Sequence, residues 1–137
     1  MKNLYIYRGL PGSGKSTAAG AAAIAADDFY VNKNGIYKFD PSKIAMAHAD
    51  CQRRVLEAME RGEETIKVTN TFTRRWEALP YLDMAKRMGY NVVVIDLFDA
   101  GLTDQELFQR NVHQVPLQVI MDMRSRYEKD ILGNSDN

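Results

Sequence analysis

The sequence has little cysteine, no excess of charge and no long apolar run, and each absence excludes a class of protein. One cysteine, Cys51, occurs in 137 residues, which excludes an internal disulfide framework, and no group of Cys and His has the spacing of a zinc site. Eighteen basic and eighteen acidic residues cancel, so the chain lacks the overall field that draws proteins to nucleic acid or membranes. A local basic groove is the remaining route to such partners.

The N-terminus carries no targeting signal that the sequence reveals. Its first residues, MKNLYIYRGLPGSGKS, reach glycine before an apolar segment of signal-peptide or membrane-spanning length can form. We therefore expect a mature chain that begins at residue 1. Together with the single cysteine, this favours a reducing, cytoplasmic location.

The length and composition are those of one globular domain. Hydrophobic residues make up 45% of the chain and charged residues 26%, values that argue against extensive disorder. We expect a single domain over residues 1–130 and a polar, frayed tail over residues 131–137.

Strand-like and helix-like segments alternate along the chain. The last predicted strand, residues 91–98, is an almost unbroken apolar run, which predicts a strand covered on both faces. Alternation predicts an α/β domain of three layers, with a mostly parallel sheet and helices on both faces. The predicted strands are residues 4–8, 24–26, 65–71 and 91–98, and the predicted helices are residues 16–23, 41–61, 73–88 (restarted or kinked at Pro80), 103–110 and 116–127.

A glycine-rich loop follows the first predicted strand. Its residues, Gly9-Leu10-Pro11-Gly12-Ser13-Gly14-Lys15-Ser16, match the phosphate-binding P-loop pattern G-x-x-x-x-G-K-[ST] at every required position. Glycines let backbone N–H groups turn inward around a β-phosphate, beside the N-terminus of the helix that follows. The motif predicts a nucleotide site that includes Thr17, with ATP and Mg²⁺ as its ligands. Lys15 is expected to neutralise phosphate oxygens and the Ser16 hydroxyl to ligate Mg²⁺.

Four further stretches resemble the polynucleotide-kinase-like P-loop family, an AAA-type group. It includes phage polynucleotide kinases and the kinase-like domain of myelin cyclic-nucleotide phosphodiesterase. The stretches follow the family's order and cover most of residues 4–128: ADDFY (26–30), YKFDPSKIAMAHADCQ (37–52), NTFTRRWEALPYLDMAKRMGY (70–90) and RNVHQVP (110–116).

The resemblance implies roles for individual residues. It assigns Asp27 as the base that takes the proton of the acceptor hydroxyl, and it places Arg110 on a lid that closes over ATP. Both roles are chemically reasonable. An attacking alcohol needs a group that accepts its proton, and the planar guanidinium of arginine can donate two hydrogen bonds to one phosphate group. In the alternative interpretations, Asp27 and Asp28 only cap a turn and Arg110 only meets the dipole of its helix.

Other residues are candidates for acceptor or metal binding. The resemblance places His48 near the acceptor, although a lone helix histidine is more often structural. Asp28, Asn70 and Arg74 are further substrate-binding candidates, and Asp28 is also a candidate for the metal.

Two departures from the family bear on these roles. The family's usual acidic residue after the third strand is replaced by Thr69, and Tyr30 stands where phage enzymes carry an arginine for the acceptor's 3′-phosphate. The first departure predicts altered metal binding, and the second puts specificity for a 3′-phosphorylated end in question.

Three functions are consistent with this pattern. The leading hypothesis is ATP-dependent transfer of the γ-phosphate to the 5′-hydroxyl of a polynucleotide by Lys15, Asp27 and Arg110. The second is a kinase of a nucleoside, nucleotide, modified base or other small hydroxyl-bearing molecule, since the fold serves all of these. The third is a nucleotide-binding module without turnover. Acceptor residues distinguish the first two.

Overall fold

The computed structural model describes residues 1–132. Four strands and five α-helices alternate along the chain, as the sequence predicts. The strands are β1 (Asn3–Gly9), β2 (Ile24–Ala25), β3 (Thr65–Asn70) and β4 (Asn91–Phe98), and the helices are α1 (Lys15–Ala19), α2 (Ile44–Glu60), α3 (Arg75–Met88), α4 (Asp104–Arg110) and α5 (Leu117–Arg126). Short 3₁₀ helices cover Ala26–Tyr30 and Pro41–Lys43.

The four strands form one parallel sheet in the order β2-β3-β1-β4. The predicted α/β fold with a parallel sheet is therefore confirmed. Since β1 lies between β3 and β4, the loop after β1 leaves the carboxyl edge near the middle of the sheet. In open α/β sheets, ligands bind beyond the carboxyl ends of the strands.

The main hydrophobic core lies between one face of the sheet and helices α2 and α3. Leu4, Ile6, Val68, Cys51 and Tyr81 are among its buried members. A second, smaller cluster joins Leu10 of the P-loop to Leu107 of α4 and Ile120 of α5. It fastens α4 and α5 to the phosphate loop.

The predicted tail, residues 131–137, is described only as far as residue 132. Ile131, which the sequence analysis assigned to the tail, is 2% exposed and belongs to the main core. The rest of the predicted frayed tail, residues 133–137, lies outside the described residues. No helix within residues 1–132 combines the length and the hydropathy needed to cross a bilayer.

Helix α1 is shorter than predicted. It ends at Ala19 rather than near Ala23, because Gly20 takes a φ of 91° and a ψ of 175°, an extended conformation that glycine alone adopts without strain. The Lys67 ammonium donates to the Ala19 carbonyl at 3.0 Å and satisfies one of the groups exposed at this end.

Helix α3 runs through Pro80, so of the two outcomes expected there a new helical segment does not occur. The carbonyl that loses its partner belongs to Trp76, in the exposed first turn, where water can reach it. The expectation for β4 is wrong, because this strand is at the edge of the sheet and is not covered on both faces. Val93 on its open face is 39% exposed.

Candidate active site

The P-loop has the backbone shape that its sequence predicts. It connects β1 directly to α1, and Gly12 and Gly14 take φ values of 84° and 97°. Residues with a side chain rarely adopt these angles, so the glycines are required by the turn. The Ser13 amide donates to the Leu10 carbonyl at 3.0 Å, and the Leu10 amide donates to Phe98 at the end of β4 at 2.8 Å. The neighbouring strand therefore holds the loop.

The loop is suited to an anion. Among the described residues, the amides of Gly12 and Gly14 donate to no protein acceptor, and a Cβ added at Gly14 would meet only the Arg110 guanidinium, at 3.8 Å. The buried Ser13 hydroxyl also lacks a hydrogen-bond partner in this part of the chain. Free donors around an open turn are what a phosphate group needs.

Lys15 is held over the loop. Its ammonium donates to the Leu10 carbonyl at 3.3 Å. Burial lowers the pKa of Lys15 from 10.5 to about 8, and the negative charge of Asp27 opposes that shift. A desolvated ammonium lacking a full anionic partner is poised to bind phosphate oxygens. The Asp27 carboxylate therefore acts electrostatically on the lysine of the phosphate loop.

Asp27 lies on the 3₁₀ helix that follows β2. Its neighbours Ala26 and Tyr30 are buried and anchor this helix, whereas the Asp27 side chain is 49% exposed. The Asn70 side chain at the end of β3 accepts from the Ala26 amide at 3.0 Å. Asn70, predicted to bind substrate, thus braces the segment that carries Asp27.

Asp28, in contrast, is occupied by the protein. Its Oδ2 accepts from the Ala25 amide at 3.1 Å and from the Arg54 guanidinium at 3.2 Å. This is the turn-capping arrangement that the sequence analysis gave as the alternative for both aspartates. The structure therefore separates the two carboxylates, since Asp28 caps its segment and Asp27 contacts residues from elsewhere in the fold.

Two predicted acceptor residues lie apart from these contacts. His48 is exposed on α2, and Arg74 is exposed just before α3. Neither side chain makes a hydrogen bond or ion pair within residues 1–132. Both are accessible to a large acceptor.

Helices α4 and α5 and their connection, residues 104–126, form a unit that we call the lid. The lid packs directly on the P-loop, where the Leu107 carbonyl occupies the space that a Cβ on Gly12 would need. Arg110 is the last residue of α4 and brings its guanidinium next to Gly14. Arg110 therefore both ends a helix and faces the phosphate loop.

Two residues that contact Asp27, Tyr37 and His113, are not indicated as site residues by the sequence. The Tyr37 hydroxyl donates to Asp27 Oδ1 at 3.4 Å, and His113 Nε2 lies 3.5 Å from Asp27 Oδ2. Their rings stack at a centroid distance of 4.2 Å. Both lie in stretches that resemble the kinase family, but nothing in their spacing along the chain indicates that they meet.

The described residues contain no group of three or more His, Cys, Asp or Glu side chains able to hold a metal by themselves. Mg²⁺ in nucleotide-binding proteins commonly keeps several waters and takes few ligands from protein side chains. Ser16, exposed in the first turn of α1, is the available protein ligand from the motif. Thr69, at the position where the family has an acidic residue, is 5% exposed and lies in β3 beside Tyr7 and Ala25.

The sheet is parallel, a glycine loop follows its central strand β1, and a lysine is directed over that loop. These features define a P-loop kinase-like domain. Residues 4–129 match the family model described as "AAA domain". The chain therefore belongs to this AAA domain family.

One relative and one solved structure show the range of similar proteins. NEDD4-binding protein 2 from Homo sapiens is 34% identical over 92% of this chain, and the chain spans 8% of that protein's length. A gluconokinase from Sinorhizobium meliloti 1021 superposes with a TM-score of 0.56 at 18% identity, covering 96% of this chain and 78% of that one. The second similarity bears on the fold alone.

Proposed function

We propose that the protein is an ATP-dependent kinase that transfers the γ-phosphate to the 5′-hydroxyl of a polynucleotide in the cytoplasm. ATP and Mg²⁺ occupy the P-loop, Asp27 is the base and Arg110 contacts the transferring group. A small hydroxyl-bearing acceptor is the alternative within the same chemistry, and a nucleotide-binding module without turnover is the alternative outside it.

One observation carries this proposal. A buried lysine and a lid arginine meet at one glycine loop, where Lys15 donates to the Leu10 carbonyl and Arg110 lies beside Gly14, and the charge of the accessible Asp27 carboxylate acts on Lys15. Phosphoryl transfer needs these three functions, because phosphate charge must be neutralised and the attacking hydroxyl must be oriented. A module that only binds nucleotide has no need of the exposed carboxylate.

The proposed step is a simple displacement. The acceptor oxygen forms a bond to the γ-phosphorus as the bond from that phosphorus to the β,γ-bridging oxygen breaks, which releases ADP. The hydroxyl proton passes to the Asp27 carboxylate. Lys15 and Arg110 stabilise the charge on the phosphoryl oxygens. Bound Mg²⁺, with Ser16 as one ligand, supplies further charge neutralisation.

A cleft lined by residues that follow Asp27 in the chain supports a nucleic-acid acceptor. It is an open depression of about 480 Å³, and its walls include Phe29, Tyr30 and Phe39 together with Lys38, Lys43 and the carboxylate of Asp40. Phe39 is 52% exposed, so its face is accessible. Aromatic faces stack on nucleobases and lysines attract phosphates, whereas recognition of a small polyhydroxylated acid would require mainly polar walls.

An acceptor panel tests the reaction. Radiolabelled ATP is offered with 5′-hydroxyl DNA, 5′-hydroxyl RNA, nucleosides and gluconate, and we expect label on an oligonucleotide. Label only on a small molecule would support the alternative acceptor. Binding of ATP without transfer to any acceptor would contradict a kinase function.

Asp27→Asn tests the assigned base, with Asp28→Asn as the matched control. Asparagine has nearly the same shape as aspartate but cannot accept the proton, so Asp27→Asn should lower kcat by about 10²–10⁴-fold with little change in ATP affinity. Asp28→Asn should mainly lower the melting temperature, since Asp28 holds Ala25 and Arg54. The reverse pattern would show that Asp28 is the base.

A further inference from the structure

Both oxygens of the Asp27 carboxylate have partners, and the partners come from different parts of the fold. Tyr37 reaches Oδ1 from the loop after the 3₁₀ helix, and His113 reaches Oδ2 from the lid. The two rings stack with an interplanar angle of 28°. We call Asp27, Tyr37 and His113 the Asp27 cluster. It links the acceptor side of the site to the lid.

Tyr37 is held by the turn that precedes it. The Asn32 side chain accepts from the amides of Asn34 and Ile36, at 2.8 and 3.0 Å, and Tyr37 pairs with Val31 across this turn. Burial, followed by the charge of Asp27, raises the pKa of the Tyr37 hydroxyl. The phenol therefore keeps its proton and acts as a donor to Asp27.

His113 is held by a comparable turn within the lid. The Asn111 side chain accepts from the Val115 amide at 2.7 Å and donates to the Phe108 carbonyl at 2.8 Å. Gln114 takes a φ of 56°, which reverses the chain directly after His113. The lid thus presents His113 to Asp27 from a defined loop while Arg110 faces Gly14.

The contacts that Asp27 makes with Tyr37 and His113 are long and exposed, so they contribute little to the stability of the fold. They measure 3.4 and 3.5 Å, and the side chains of Asp27 and His113 are 49% and 36% exposed. Exposed pairs of this kind add little to folding. Their effect is instead on the orientation of the Asp27 carboxylate and on the position of the lid.

We propose that Tyr37 and His113 are positioning residues that orient the Asp27 carboxylate and couple its orientation to closure of the lid. The lid then has two attachment points, Leu107 and Arg110 on the phosphate loop and His113 on the base. Closure brings the arginine to the phosphates and fixes the base in a single movement. The catalytic consequence rests on the proposed kinase function, whereas the coupling itself does not.

Hydrogen exchange of the lid tests the coupling without any turnover. His113→Ala removes the contact between the lid and Asp27, so it should speed amide exchange in residues 108–115 of the full chain by about 2–5-fold, whereas Tyr37→Phe keeps the His113 contact and the stacked ring and should have a smaller effect. Val112→Ala is the matched control, because Val112 adjoins His113 and is 83% exposed. Equal exchange in wild type and His113→Ala would overturn the proposal.

Kinetics test the action through Asp27. His113→Ala should lower kcat by about 10-fold with the wild-type Asp27 present, but by less than about 2-fold when Asp27→Asn has already removed the base. His113→Gln, which keeps a donor near the position of Nε2, should recover most of the loss. Equal losses in both backgrounds would show that His113 acts independently of Asp27. A wild-type protein that transfers phosphate to no acceptor would refute the kinase function, and the exchange experiment would still decide the coupling.

Discussion

Arg8, the residue immediately before the P-loop, is fully buried and should be the most sensitive position to substitute. Its guanidinium donates to the carbonyls of Phe72 and Glu128, at 2.7 and 2.6 Å, and pairs with Asp96 at 3.0 Å. It also lies 4.1 Å from the centre of the Tyr127 ring. One side chain therefore joins the ends of β1, β3 and β4 to the segment after the lid.

The expected loss follows from the partners that Arg8→Met leaves behind. Methionine is of similar size, so no large cavity forms, but the carbonyls of Phe72 and Glu128 lose their donor. An unsatisfied buried group costs about 1–3 kcal/mol, and two carbonyls lose their donor, whereas Asp96 is 32% exposed and still accepts from the Tyr127 hydroxyl. Phe72 has a φ of 45°, a strained conformation for a bulky residue, which the bond to Arg8 helps to hold. We expect a loss of about 3–5 kcal/mol.

Chemical denaturation followed by circular dichroism measures this loss, and thermal melting should show a fall in Tm of roughly 10–20 °C. Arg53→Met is the matched control. Arg53 forms two ion pairs, at 2.7 and 2.9 Å, but its side chain is 56% exposed, so its removal should barely change Tm. If Arg8→Met lost no more stability than Arg53→Met, the argument from burial would be refuted.

Two further substitutions test the phosphate loop. The pKa of Lys15 is about 8 in the folded protein, against 10.5 for an ordinary lysine. Between pH 8 and pH 10.5 the unfolded chain therefore binds more protons than the folded protein. The stability of the nucleotide-free protein consequently rises with pH in this range. Lys15→Met should therefore be more stable than wild type at pH 7, by a margin that shrinks between pH 8 and pH 10.5 in denaturant titrations; a constant margin would contradict this. Gly12→Ala should cost about 2–4 kcal/mol, because its Cβ meets the Leu107 carbonyl at a φ of 84°. Gly89→Ala, after the end of α3 at a left-handed φ of 78° with open space around it, should show only the conformational cost of about 1–2 kcal/mol, and equal losses in the two variants would refute the contact with the lid.

Local patterns in the sequence were sufficient for most elements of the fold. Thr103 and Glu106 have the spacing of a capping box, and the structure has both reciprocal hydrogen bonds at the start of α4. Asp40 followed by Pro41 has the pattern of a helix start, and the Asp40 side chain accepts from the Ser42 amide. These features depend on residues three or fewer positions apart, which is why the sequence reveals them.

The burial of β4 was mispredicted because it depends on contacts between residues that are far apart in the sequence. An apolar run shows that a strand prefers cover, but its place in the sheet depends on which strands pair with it. Here β1 occupies the centre and β4 the edge. Pairing between strands far apart in the sequence sets that order.

By itself, the sequence determined the phosphate loop between β1 and α1, because glycines and the lysine act through neighbouring backbone. It also separated an α/β domain from other classes through the alternation of its segments. Only the tertiary structure distinguished Asp27 from Asp28, since Arg54 occupies the second carboxylate from 26 positions away. The same holds for the meeting of Asp27 with Tyr37 and His113. A side chain's chemistry is set by its neighbours in space, and for these residues the neighbours are brought together only when the lid and sheet pack.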